Sequence, residues 1–270
     1  MKMLAEPETV KEAVVERPLV SASSNQLTEA DLTMPRSKPR SLIISLCYPL
    51  ILVGKHLFGR KRLMRWCLNA SWLLRRFAFE LGSEVFGSSF QSDARALSRE
   101  VLGKWVTPNA TVIDIGCGPG RLSRLVARYA GRVVGIDQST ADIETARRMS
   151  DGQNIEYVIG DITVDLSDSQ FDVAMLVHVI EHIDDVDHLL TAIRKIAPLL
   201  IIEVPDFDAD PLNMARHALG CPYYSDGDHL REYSLPILKQ QLERNGWNIQ
   251  YQERRHGAIL AVANHAALAV

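Results

Sequence analysis

The chain has 270 residues, 47% of them hydrophobic, and a formal net charge of −3. That length and apolar content suit one α/β domain of about 200 residues with additional segments. Four scattered cysteines (Cys47, Cys67, Cys117 and Cys221) argue against a disulfide framework or a zinc site, and a net-acidic body argues against nucleic acid as a partner.

Charge is unevenly placed. Residues 40–80 carry eight Lys/Arg against one acid, whereas residues 81–270 carry 17 against 26. The start, "MKMLAEPETVKEAVVERP", is polar and acidic where a secretory signal is basic and then apolar. Residues 1–39 lack sustained periodicity and are rich in Ser, Pro and Glu, which predicts a disordered tail. Next comes "LIISLCYPLILVGKHLF", too short an apolar run for a transmembrane helix of about 20 residues, with a proline in its middle. In "GRKRLMRWCLNASWLLRRFAFEL", Trp66, Leu73, Phe77 and Leu81 fall near helical spacing among Arg65, Arg75 and Arg76. Residues 40–100 therefore read as a basic amphipathic helical cap. Either residues 42–81 contact an anionic membrane surface, or the cap packs on the catalytic domain. The corresponding location is cytoplasmic, with or without peripheral attachment to a membrane.

From Val101 onward strands alternate with helices. Strands are predicted at Thr111–Ile115, Arg132–Ile136, Ile155–Ile159, Phe171–Val177, Leu199–Val204, Trp247–Gln252 and Ala258–Ala263. Helices are predicted at Arg121–Tyr129, Ala141–Met149, Asp185–Ile196 and Leu235–Asn245. Near-continuous apolar strands such as "VAMLV" and "LLIIEV" require a sheet covered on both faces, and the alternation implies a doubly wound α/β fold over residues 101–270. No internal repeat is evident.

The first strand runs into "VIDIGCGPGRL", with Gly116, Gly118 and Gly120 at alternate positions and Cys117 among them. The turn lies where a parallel sheet binds its ligand. Its G-x-G-x-G spacing differs from the G-x-G-x-x-G of dinucleotide folds. Asp114, just before the turn, would repel a pyrophosphate but suits an ammonium or a sulfonium-bearing ligand. Asp137, followed by Gln138, ends the second strand and can accept from both ribose hydroxyls. Asp161 ends the third and can accept from an adenine amino group, with Ile162 packing on the ring. Together these specify S-adenosylmethionine. Between Asp161 and Phe171 the chain is short enough to predict a loop or a single turn.

On these motifs, in this order, the chain resembles the class I S-adenosylmethionine-dependent methyltransferases over roughly Val101 to Ala263. The resemblance implies a Rossmann-like, seven-stranded sheet with the last strand antiparallel. Asp114, Gly116, Gly118 and Gly120 would hold the methionine end, Asp137 ribose and Asp161 adenine.

Methyl transfer to an alcohol needs a group that takes the acceptor's proton. "VHVIEHIDD" offers His178, Glu181 and His182, an H-x-x-E-H spacing that binds metal if it forms a helical turn and otherwise starts a helix. The element resembles the acid-x-x-E-H element of quinone-biosynthesis O-methyltransferases, with His in place of the first acid. Metal dependence stays open at this point. After strand five, a long connection carries Asp206, His217, Tyr223, Tyr224, Asp226, Asp228, His229, Arg231 and Glu232, and long loops in compact domains are usually functional. His229, and after it His178, is the candidate base.

The segments "FAFELGSEVFGSSFQSDARALSREVLGKW" and "DGDHLREYSLPIL" resemble the glycan-associated branch of these enzymes, the type 11 and type 23-like group. That implies O-methylation of a hydroxyl on a sugar or glycan intermediate. "GPGRLSRL" departs from the acid which that branch often carries after the turn. Two alternatives stand beside it: an O-methyltransferase acting on a lipid or quinone at the membrane surface, and a non-catalytic S-adenosylmethionine-binding protein.

Overall fold

The computed structural model describes residues 42–86, 97, 99–150, 154–161, 169–224 and 226–265. The tail expected over residues 1–39 lies outside them, as do Ile162 and most of the loop expected before Phe171. The chain divides after Val53. In the first unit, residues 42–53 are helical and form most of α1 (Leu42–Leu57), which contains Pro49; Tyr48, Leu50, Ile51, Leu52 and Val53 are exposed. Among the described residues, no helix is long and apolar enough to cross a membrane.

The second unit opens with α2 (Arg60–Phe86), 27 residues long, and α3 (Arg99–Trp105). Then β1 (Thr111–Ile115), α4 (Arg121–Val126), β2 (Arg132–Asp137), α5 (Thr140–Met149) and β3 (Ile155–Ile159) alternate. β4 (Val173–Val177), α6 (Val186–Ile196), β5 (Leu199–Pro205), α7 (Asn213–Ala218), α8 (Leu235–Arg244), β6 (Asn248–Arg255) and β7 (Ala258–Asn264) complete the order. The sheet runs β3-β2-β1-β4-β5-β7-β6; the strands pair in parallel through β5, and β7 is antiparallel to both its neighbours. This is the doubly wound, seven-stranded architecture with the last strand antiparallel, preceded by helices.

Alternate side chains along each strand serve opposite faces. Ile113, Ile115, Val134, Ile136, Leu200 and Ile202 meet α6 and α8 through Leu190, Ile193, Leu238 and Leu242. Val112, Val133, Val173, Ile201 and Val262 meet α3 and α4 through Val101, Leu102, Leu122 and Val126. In α6, Val186, Leu189, Leu190, Ile193 and Ile196 are all buried. At ~1.5–3 kcal/mol for each fully buried apolar side chain, that stripe fixes α6 on the sheet. Asp185 caps α6 by accepting from the His188 amide at 2.9 Å.

About half of the predicted strand and helix boundaries coincide with the structure, and the others differ by one to three residues. The clearest difference is β6, which runs on to Arg255. Its partner strand is reached through His256 and Gly257, both at positive φ, the two-residue turn that matches strand twist in a hairpin. The sheet order reverses between β1 and β4, so the crevice at their carboxyl ends is where a ligand binds in such a sheet.

Candidate active site

The glycine turn is pinned at several points. The Gly116 and Cys117 amides donate to the Ile136 carbonyl at 2.8 and 3.2 Å. Asp137 reaches across from β2: its Oδ2 accepts from the Gly118 amide at 2.8 Å and its Oδ1 from the Ser139 amide at 2.8 Å. Ser139, not Asp137, caps α5, accepting from the Asp142 amide at 3.3 Å. Each Asp137 oxygen retains acceptor capacity for a hydroxyl donor. A Cβ at Gly120 would strike the Tyr157 hydroxyl, and its φ of 75° is strained for any other residue. A Cβ at Gly118 would meet nothing within 4 Å. That open cradle, rimmed by carboxylates, fits a nucleoside with a cationic tail. Asp114 is 2% exposed and accepts from Ser123 Oγ at 2.5 Å. Gln138 donates to Asp161 Oδ2 at 3.2 Å, so the ends of β2 and β3 stand side by side. Burial, then the Asp114 and Asp137 charges, push the Cys117 thiol far up, so it remains neutral.

The other side of the crevice is built from β4, β5 and the connection before α8. His178 follows β4 at a φ of 56°. Its Nδ1 lies 3.3 Å from Glu181 Oε1 and its Nε2 3.2 Å from Glu203 Oε1, both carboxylates essentially buried. Burial alone would lower the pKa of His178, but the bonds and charges of Glu181 and Glu203 outweigh it and raise it to about 9. His178 is thus an imidazolium at neutral pH, already loaded with the proton that a base must accept. Glu203 also accepts from the Leu97 amide at 2.7 Å through Oε2. The sequence reading passed over Glu203; its signal is one charge inside the apolar run "LLIIEV".

The H-x-x-E-H element forms a single 3-10 turn, Ile180–His182. The connection folds back onto it: the Leu230 amide donates to the Glu181 carbonyl at 2.9 Å, and Arg231 to the Asp184 carbonyl at 2.7 Å. That brings in His229, whose Nδ1 lies 3.0 Å from Glu232 Oε1. Its ring stands edge-on to His182, centroids 4.7 Å apart. Burial lowers the His229 pKa, and Glu232, Glu181 and Asp226 more than restore it, leaving it above 6.5. Glu181, His182 and His229 offer ligand atoms within 4.8 Å of one another, and Glu181 Oε2 is buried without a hydrogen-bond partner. Two imidazoles and a carboxylate suit zinc or another divalent first-row ion. Ligation would occupy the imidazole that proton transfer needs, so His229 serves one role or the other.

Asp206 does not belong to an acceptor lining. It is largely buried, pairs with Arg254 at 2.8 Å and caps the turn Phe207–Ala209. Phe207 joins the aromatic residues instead: Tyr223 meets it edge-on at 5.7 Å, meets His217 at 5.4 Å and stacks on Tyr224 at 4.6 Å.

α2 holds this connection. Buried Arg216 donates to the Leu68 carbonyl at 2.7 Å and to Ser71 Oγ at 2.8 Å, and Trp72 Nε1 donates to the Tyr224 carbonyl at 3.3 Å. Arg75 pairs with Asp210, and Arg76 lies 3.5 Å from Asp226. One face of α2 therefore packs on protein.

Sheet order, glycine turn and carboxylate-rimmed cradle define a class I methyltransferase fold. Residues 113–197 match a family model described as a methyltransferase domain, a match that supports S-adenosylmethionine as the cofactor. The chain is 34% identical over 147 residues to an uncharacterized 37.1 kDa transposon protein of Streptomyces fradiae, covering 52% of this chain and 39% of that one. It is 32% identical over 90 residues to a ubiquinone biosynthesis O-methyltransferase of Pelagibacter ubique, covering 33% and 38%. It is 26% identical over 159 residues to a sterol 24-C-methyltransferase of Yarrowia lipolytica, covering 55% and 42%. The chain thus spans about two fifths of the length of these curated relatives. Among solved structures, a SAM-dependent methyltransferase of Methanosarcina mazei aligns at TM-score 0.52 and 16% identity, covering 63% of this chain and 98% of that one. Magnesium protoporphyrin IX methyltransferase of Synechocystis also aligns at 0.52 and 16%, covering 77% and 100%. At that identity the structures show the fold alone.

Proposed function

We propose that the chain is an S-adenosylmethionine-dependent O-methyltransferase whose acceptor is a hydroxyl on a quinone-like or lipid-like molecule. The observation that carries this reading is the His229–Glu232 pair, set beside the carboxyl end of β4 by a connection that also carries an aromatic cluster. Phe207, Tyr223 and Tyr224 suit a largely apolar acceptor with a polar end. The ubiquinone O-methyltransferase among the relatives supports a quinone hydroxyl over a sugar hydroxyl, and the sterol C-methyltransferase supports a lipid-like acceptor without bearing on its hydroxyl.

The cofactor would supply a methyl group already activated on a sulfonium. Asp137 would hold the ribose hydroxyls, Asp161 with Gln138 the adenine end, and Asp114 with Gly116, Gly118 and Gly120 the methionine end. His229, oriented through Nδ1 by Glu232, would take the acceptor's proton at Nε2, and the Glu232 carboxylate would stabilise the imidazolium formed. His178 would position Glu181 and Glu203 around the crevice while keeping its own proton. Alignment of acceptor and methyl group provides the rest of the acceleration.

The test incubates full-length protein with methyl-labelled S-adenosylmethionine and, separately, a hydrophobic catechol, a bacterial lipid extract and a polysaccharide-precursor extract. Label in an organic-soluble, alkali-stable ether product is expected. Label only in the aqueous glycan fraction would restore the sugar reading, and no label in any fraction would favour the binding-only alternative.

A further inference from the structure

The face of α2 that turns away from the acceptor connection is apolar and open to solvent. At 100° per residue, Trp66, Ala70, Leu73, Leu74, Phe77 and Leu81 fall on one stripe, opposite Leu68, Ser71 and Trp72, which face protein. Trp66, Leu73, Phe77 and Leu81 are about half exposed, and Leu74 is 67% exposed. Leu57 and Phe58 stand open just before the helix, with Phe58 against Trp66 at 5.1 Å. An ordinary surface helix turns its charged side to water and its apolar side to the core. In α2 the solvent side carries Trp66, Leu73, Leu74, Phe77 and Leu81.

The charges say what covers that stripe. Arg60, Lys61, Arg62 and Arg65 open the helix with no acid among them, in a chain whose body is acidic, while Arg75 and Arg76 pair with Asp210 and Asp226. Arg62 borders the stripe one turn before Trp66. The first acid, Glu80, lies 3.5 Å from Arg76. A helix with a basic flank, an interfacial Trp and a row of Leu and Phe lies in the plane of an anionic bilayer, apolar residues below the headgroups and cations among them. With six charges in 17 residues, α2 cannot cross the bilayer.

We infer that α2 docks on an anionic phospholipid surface through Trp66, Leu73, Leu74, Phe77 and Leu81. Because its other face holds the acceptor connection through Arg216 and Trp72, docking sets that connection beside the bilayer. A lipid-like acceptor then reaches His229 without crossing water. The docking stands on α2 alone; the delivery rests on the proposed function.

The experiment is flotation of full-length protein with phosphatidylcholine vesicles and with vesicles containing 30% phosphatidylglycerol, at ~0.1 and ~0.5 M NaCl. Binding to the anionic vesicles is expected to be at least ~10-fold tighter and to weaken with salt. The double variant Leu73→Glu/Phe77→Glu should lose it ~10-fold or more while its affinity for S-adenosylhomocysteine is unchanged, which shows that the fold is intact. Arg62→Glu/Arg65→Glu should abolish the preference for anionic lipid, and Lys239→Glu, on α8, should leave it alone. Equal binding to both vesicles, no binding, or indifference to the α2 variants overturns the inference. So does a dimer in sedimentation that Leu73→Glu/Phe77→Glu converts to monomer, since a second copy would then cover the stripe. Methyl transfer to a soluble catechol persisting in a protein that does not bind vesicles would remove the docking and leave the proposed function in place.

Discussion

The two sides of the crevice are assembled in different ways. On the cofactor side the partners are close in sequence: Asp137 and the Gly118 amide are 19 residues apart, Asp114 and Ser123 nine. They sit on strand ends whose register is set by the sheet, and they fold wherever the sheet folds. On the acceptor side local pairs such as His229 with Glu232 are held in place by distant partners. Arg216 and the Leu68 carbonyl are 148 residues apart, Trp72 and the Tyr224 carbonyl 152. That side is a connection folded back onto β4 and held from outside by a helix that precedes the whole sheet. Such a division lets one cofactor platform serve many acceptors, since the connection can change without disturbing the turn.

The comparison is sharpened most by separating turnover from cofactor binding. His229→Ala should lower turnover by ~10²-fold or more, in the range of acid–base groups, and leave S-adenosylhomocysteine affinity unchanged by calorimetry. Turnover of the wild type should climb with pH through a pKa above 6.5, because an imidazole held up by Glu232 must lose its proton before it can accept another. A variant that keeps wild-type turnover removes His229 from the reaction. If chelation abolishes turnover and a divalent ion restores it, His229 is a ligand and not the base.

Next in size is the opposite case. Asp137→Ala removes a charge-assisted bond from the Gly118 amide of the turn, another from the Ser139 amide at the start of α5, and the acceptor of the ribose hydroxyls. Its affinity for S-adenosylhomocysteine should fall ~10-fold or more, since hydrogen bonds to a charged group contribute about 1.5–3 kcal/mol. An unchanged affinity would mean that the pocket does not use the β2 carboxylate.

Arg216→Ala tests the strap itself. The guanidinium is 2% exposed and serves the Leu68 carbonyl, Ser71 and the Pro222 carbonyl. Losing it leaves buried acceptors unpaired, at a cost of about 1–3 kcal/mol. The acceptor KM should rise severalfold with cofactor affinity nearly unchanged. If cofactor affinity falls as much, the two sides are not independent.

The same division decides what could be read in the sequence. β1 was legible to the residue because an apolar run ends on glycines that only a turn requires, and Asp137 was legible because a strand end places it. The pairing of His178 with Glu203 was not, because it depends on the alignment of β4 with β5, which no local pattern encodes. α7 went unread for a related reason: six residues with only Arg216 buried carry no apolar period, and tertiary contacts to α2 decide their place. Asp206 was read with the functional connection for want of knowing that Arg254 lies beside it on β6. The apolar stripe of α2 was visible as spacing. Which side of the helix met protein became visible only with Arg216 and Trp72 in place.

The smallest effect expected is on stability, and it tests the buried charge cluster of His178, Glu181 and Glu203 that joins β4 to β5. The folded-state pKa of His178, about 9, lies above its ordinary 6.5, so the folded chain binds this proton more tightly than the unfolded one. Its contribution is therefore complete below about pH 6.5 and is lost as pH rises toward 9. Urea unfolding of the wild type should show stability falling across that window. His178→Asn, which tolerates the positive φ, should flatten the slope while lowering stability at pH 6. A slope as steep in the variant as in the wild type would mean that the imidazolium is not what holds Glu181 and Glu203 together. The acceptor side of the crevice would then rest on the Arg216 and Trp72 bonds that tie it to α2.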